Sequence, residues 1–166
     1  METKTASDIL KTAILMERRG KAFYEKVAEQ TQSMDVRNIF NIMAEEENSH
    51  IEFLSKQFSN YEKNKTFVKN DFHTADDQIA KMILNKDIKK QISAAGFEAA
   101  AISAAIDMEN KAIEVYSSRA KESTDESEKE LFNFLANWEK GHLKMLMDLN
   151  KELMEEIWYD NNFWPF

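Results

Sequence analysis

AILMERRGKAFYEKVA, residues 13–28, and AIDMENKAIEVYSSRA, residues 105–120, decide the fold when one is laid on the other. A shift of 92 residues aligns Ala13 with Ala105, Ile14 with Ile106, Met16 with Met108, Glu17 with Glu109, Tyr24 with Tyr116 and Ala28 with Ala120. Without a gap, the same shift carries FNIMAEEENSHIEFL (40–54) onto FNFLANWEKGHLKML (132–146). Phe40 then meets Phe132, Asn41 meets Asn133, Ala44 meets Ala136, Glu47 meets Glu139, His50 meets His142 and Leu54 meets Leu146. Residues 13–54 hold 12 identities in this register, and most other apolar positions stay apolar. One helical hairpin has been used twice.

The chain around the repeat supports long helices. A single proline, Pro165, and three glycines, Gly20, Gly96 and Gly141, leave few breakers in 166 residues. Apolar spacing predicts helices over roughly 8–31, 35–59, 94–121 and 126–157, with Ser7 as the first N-cap. QTQSMD and KESTDES supply the turns inside each pair. The expected architecture is all-α: hairpin 8–59, a crossover 60–93, hairpin 94–157 and an aromatic tail 158–166, all in one domain. A connection as long as 60–93 suits a passage from one end of a bundle to the other. It holds one candidate short helix, capped by Thr74, with Ile79, Met82 and Ile83 as its apolar side.

Composition narrows the function. A balance of 43% hydrophobic and 31% charged residues is that of a globular chain. A net charge of −8 argues against nucleic acid or an anionic membrane as partner. No apolar run approaches the roughly 18 residues a membrane span needs, and METKTASDIL has no hydrophobic signal core, so a cytoplasmic location is expected. With no cysteine, any metal must be held by nitrogen and oxygen, and disulfide or thiol chemistry is excluded.

Within the repeat, Glu17/Glu109 and the Glu-x-x-His pairs Glu47–His50 and Glu139–His142 are retained. Positions i and i+3 share a helix face, here the apolar one that also carries Met43 and Leu54. Register agrees: the midpoint between Glu17 and Glu47–His50 falls at Gln32–Ser33, and that between Glu109 and Glu139–His142 at Thr124–Asp125, where the turns are. Each hairpin thus sets one carboxylate opposite one Glu-x-x-His. Together the hairpins collect four carboxylates and two imidazoles, which would repel and resist burial without countercharge. Two divalent cations balance the four charges, and carboxylate–imidazole donors with open positions suit iron and oxygen or peroxide chemistry. Glu45 and Glu46, which fall on Asn137 and Trp138, are left as a solvated face. His73, with no repeat counterpart, reads as a surface residue, and the nine methionines as core filler.

With LMERRGKAFY, EENSH, DMENKAIEVY and WEKGH in view, the chain resembles the ferritin-like di-iron carboxylate proteins, and among them the rubrerythrin family. The resemblance implies a ferritin-like four-helix bundle holding two iron ions, with manganese or a mixed Fe/Mn pair as the alternative. It implies that Glu47 and Glu139 bridge the metals, with Glu17 and His50 completing one site and Glu109 and His142 the other. Tyr24 and Tyr116 match family tyrosines that hydrogen-bond into the cluster. Rubrerythrins also carry a four-cysteine rubredoxin-type site, absent here, so a separate electron-donor protein is expected. They add a glutamate on the third helix, where this chain has Ile106 and Ala112, leaving a more symmetric set of six. The expected function is an oxidoreductase or ferroxidase acting on O2 or H2O2 in oxidative stress or iron handling, in a homodimer by family habit. The competing readings are an iron-binding or storage protein, which would stop after one oxidation, and an interaction protein with a relic site, which would hold no stoichiometric metal.

Overall fold

The structure, a computed structural model, describes residues 5–68 and 96–160. Helices α1 (Ala6–Gln30) and α2 (Met34–Asn64) form one antiparallel hairpin, α3 (Phe97–Glu122) and α4 (Glu126–Asp160) the other. Four long helices in two pairs are what the repeat predicts. Among the described residues no helix is long and apolar enough to cross a membrane. The candidate short helix on Thr74, Ile79, Met82 and Ile83 lies outside the described residues, as do His73, most of the predicted crossover and residues 161–166 of the tail.

The helix ends follow local chemistry, and two predicted ends are corrected by it. Thr5, not Ser7, caps α1: its hydroxyl accepts from Asp8 N–H, and Asp8 accepts in return from Thr5 N–H, a capping box. Ser7 lies inside the first turn and donates to Glu62 near the end of α2. That helix runs five residues beyond the predicted end, to Asn64, and the left-handed backbone of Lys65 (φ 55°) terminates it. The turns are tied by arginine or acid. Arg37 donates to the carbonyls of Ala28 and Thr31, capping the end of α1. Glu128, buried, accepts twice from Arg119 and once from Ser123, while Asp125 caps α4 through Glu128 N–H.

The ends of the elements orient the hairpins. Thr31 at the first turn donates to Glu98 at the start of α3, and Ser7 meets Glu62 at the opposite end. The chain therefore leaves α2 at one end of the bundle and enters α3 at the other, which is why a short loop could not join them.

Two apolar layers fill the interior. One joins Tyr24, Val36, Phe40 and Met43 to Ile102, Ala105, Leu146 and Leu149; the other joins Leu10, Ala13 and Leu54 to Tyr116, Leu131, Phe132 and Leu135. Each layer draws on both hairpins, so apolar burial holds the hairpins together. The methionines divide: Met43 and Met145 are core, whereas Met34 and Met147 are exposed.

Candidate metal centre

Between the two apolar layers lies a polar one. Glu17, Glu47, His50, Glu109, Glu139 and His142 are all buried, each no more than 4% exposed. The structure brings all six predicted residues together, one or two from each helix. Their inward aim follows from the 3.6-residue period: Glu17 shares a face with Ala13, Gly20 and Tyr24, and Glu47 with Met43, His50 and Leu54. The Arg18 and Arg19 side chains beside Glu17 are exposed and leave it to partners inside the bundle.

His50 Nδ1 lies 3.0 Å from Glu17 Oε2, 3.1 Å from Glu139 Oε1 and 3.5 Å from Glu47 Oε2. His142 Nδ1 lies 3.0 Å from Glu139 Oε2 and 3.5 Å from Glu109 Oε1. The rings are nearly parallel, at 24°, with centroids 5.7 Å apart. The tyrosines cross between hairpins: Tyr24 donates to Glu109 and Tyr116 to Glu17. Both phenols are fully buried, so they act as carboxylate partners as well as core aromatics.

The donor atoms fall into two groups, each with its atoms within 4.8 Å of one another: Glu17, Glu47, His50 and Glu139, and Glu47, Glu109, Glu139 and His142. Glu47 and Glu139 belong to both. Five buried atoms here make no hydrogen bond: Glu47 Oε2, both oxygens of Glu139, His50 Nε2 and His142 Nδ1. Unpartnered buried carboxylate oxygens are costly, and two cations set among them would satisfy all three. The donor set is oxygen and imidazole nitrogen alone, which suits divalent iron or manganese.

Without metal, protons do the balancing. Burial raises Glu47 well above the ordinary carboxylate range, aided by Glu17 and Glu139, and pushes Glu109 up to about 7. Burial would lower both histidines, but Glu139, Glu17 and Glu47 around His50, and Glu109, Glu139 and Glu46 around His142, hold them well above the usual value. Glu139, between the two imidazoles, is pulled far below its ordinary value despite burial. Tyr24 is raised by burial and by the charges of Glu109 and Glu47.

A cavity of about 300 Å³ reaches the cluster between α1 and α3. Its lining combines Met16, Gly20, Met108 and Ala112 with the cationic Arg19 and Lys111, and it includes glutamates of the cluster. Gly20 makes the close approach possible: a Cβ there would stand 3.1 Å from Glu47 Oε1 and 3.2 Å from its carboxyl carbon.

Sequence reasoning missed two neighbours. Glu46, expected on the solvated face, instead reaches across the bundle to Nε2 of His142, with its side chain only 15% exposed. Trp138 packs its ring against His50. The signal was present as the aligned pair 46/138, but a glutamate opposite a tryptophan carries no shared chemistry to notice. Glu45 is exposed, as expected.

A family profile described as rubrerythrin matches residues 8–150. No curated protein matches significantly. Among solved structures, a hypothetical protein from Pyrococcus furiosus is 24% identical, with 91% of each chain covered and a TM-score of 0.61, a likeness of fold.

Proposed function

The chain belongs to the rubrerythrin family, and from that premise we propose that it binds two iron ions and reduces H2O2 or O2 with electrons from a separate donor protein. Glu17 and His50 would hold one ion, Glu109 and His142 the other, with Glu47 and Glu139 shared between them. The observation that carries this reading is the set of unpartnered buried donor atoms pointing into one space. When bound, two iron ions supply two one-electron couples, matching the two electrons and two protons that convert H2O2 to two waters.

The chain's own residues supply the rest. Burial between two apolar layers keeps bulk water from the carboxylates and strengthens their hold on a cation. Tyr116 fixes Oε1 of Glu17, whose Oε2 meets His50 Nδ1, and Tyr24 fixes Oε1 of Glu109, so each phenol orients one carboxylate toward the cluster. Met16, Met108 and Ala112, with Arg19 and Lys111, line an approach through which a small molecule reaches the cluster. Ile106 and Ala112 occupy the positions flanking Glu109 where a rubrerythrin's extra glutamate would be sought, so neither supplies a seventh ligand. With no cysteine in the chain, reducing equivalents come from outside.

Iron-loaded protein supplied with a chemical reductant and repeated additions of H2O2 tests the reading. Many equivalents of peroxide consumed per chain are expected. One oxidation followed by arrest, with iron retained, would replace the enzyme by an iron-binding protein.

A further inference from the structure

The repeat that duplicates the six residues does not duplicate what stands behind the two histidines. Residue 46 on α2 corresponds to residue 138 on α4 under the same 92-residue shift, a glutamate in one copy and a tryptophan in the other. Each reaches across to the histidine of the opposite hairpin. The Glu46 carboxylate engages Nε2 of His142, while the Trp138 ring stands edge-on to the His50 ring, 4.2 Å between centroids at 79°.

The consequences for the two rings differ. A neutral imidazole carries one proton, and a metal needs the lone pair of the other nitrogen. At His142 the Glu46 carboxylate lies at Nε2 and can keep the ring N–H there, so that on metal binding the proton leaves Nδ1, which faces Glu139 at 3.0 Å and Glu109 at 3.5 Å. At His50 the difference lies at the outer nitrogen: Nδ1 faces Glu17 at 3.0 Å, as Nδ1 of His142 faces Glu139, but Nε2 is buried with no hydrogen-bond partner. To ligate through Nδ1, each ring must release a carboxylate, and only His50 then lacks an acceptor for its N–H.

We propose that Glu46 is a positioning residue for His142, and that Trp138 denies His50 the same support, so that the two metal positions are inequivalent and the Glu109–His142 position fills first. This rests on the reading that the six residues bind two divalent ions. A carboxylate behind a ligating histidine is worth about 10- to 100-fold in metal affinity, so the two binding steps should be separated by about that factor. Shared Glu47 and Glu139 couple the two steps in any case, and the change made by Glu46→Ala isolates the part that comes from the carboxylate behind His142.

The test is an anaerobic Co2+ titration of the full metal-free chain, followed by calorimetry and by the visible d–d absorption of Co2+. The unsubstituted chain should bind two ions in two resolved steps. Glu46→Ala should weaken only the tighter step, by about 10- to 100-fold, and change the absorption spectrum at one equivalent. Glu46→Gln keeps an acceptor for the ring N–H and should recover part of the separation. Two equal steps in the unsubstituted chain, or two unchanged steps in a folded Glu46→Ala variant, would overturn the proposal while leaving the metal site standing. An unsubstituted chain that binds no Co2+ would overturn the metal-site reading and this inference together.

Discussion

Replacing Gly20 by alanine should make the metal-free protein more stable and the metal-loaded site weaker, two effects of opposite sign from one methyl group. The added Cβ would lie 3.1 Å from Glu47 Oε1 and 3.2 Å from Glu47 Cδ, inside the roughly 3.5 Å of an ordinary contact, so the carboxylate must retreat by a few tenths of an ångström. The carboxylate is the far end of a flexible side chain, and its Oε2 has no hydrogen bond to lose in that movement. The helix meanwhile gains about 0.8–1.0 kcal/mol from alanine in its interior. For a chain of this length, a gain of about 1 kcal/mol raises Tm by roughly 2–4 °C. With metal present Glu47 is the carboxylate shared by both donor groups, so its displacement reaches both positions. Affinity should fall by about tenfold, near 1.4 kcal/mol. Urea unfolding of the metal-free variant and its Co2+ titration measure the two halves separately. A folded Gly20→Ala protein that binds both ions as tightly as the unsubstituted chain would refute the claim that this glycine makes room for Glu47.

Tyr116→Phe removes the phenol that donates to buried Glu17 and should cost about 2 kcal/mol in urea unfolding of the metal-loaded protein; an unchanged midpoint would show that Glu17 does not depend on it. Stability should respond to pH with opposite signs in the two forms. His50, His142, Glu47 and Glu109 all bind protons more tightly when folded than when unfolded. Their contribution is complete below the unfolded values and is lost as pH rises through the folded ones, beginning with Glu109 at about 7. Glu139, shifted down, loses its contribution only as pH falls into strong acid. Metal-free Tm should therefore fall as pH rises through about 7, while metal-loaded Tm rises because the ions displace those protons; parallel curves would contradict the proton balance. Arg119→Ala strips buried Glu128 of its cation and should cost roughly 2 kcal/mol, yet leave Co2+ stoichiometry at the distant cluster unaltered.

Much of this was legible in the sequence because burying charge is expensive. Glu17, Glu47 and His50 recur at one offset with Glu109, Glu139 and His142, on faces otherwise apolar, and the turns fall midway between them. A charged pattern kept twice on buried faces needs a common cause, so the four helices and the six residues could be read together. Helical period tells which side of α2 turns inward but not which residue of α4 it meets there. Hence Glu46, four residues before His50, reads as solvated surface, while in the bundle it serves His142. The cap of α1 was misread because Ser7 and Thr5 are both competent, and only the reciprocal bond with Asp8 selects Thr5. The end of α2 escaped notice because Asn60 and Asn64 read as loop residues, whereas an Asn64–Asn60 bond and the Lys65 turn carry the helix past them.

The central claim is that the buried glutamates and histidines are one two-metal site, and Glu139 tests it most directly because it belongs to both donor groups. Anaerobic Fe2+ titration of the unsubstituted chain and of Glu139→Ala, each checked for helical content, compares them. The account predicts two ions per chain in the first and loss of tight binding at both positions in the second. Two ions bound with equal affinity by both proteins would contradict it.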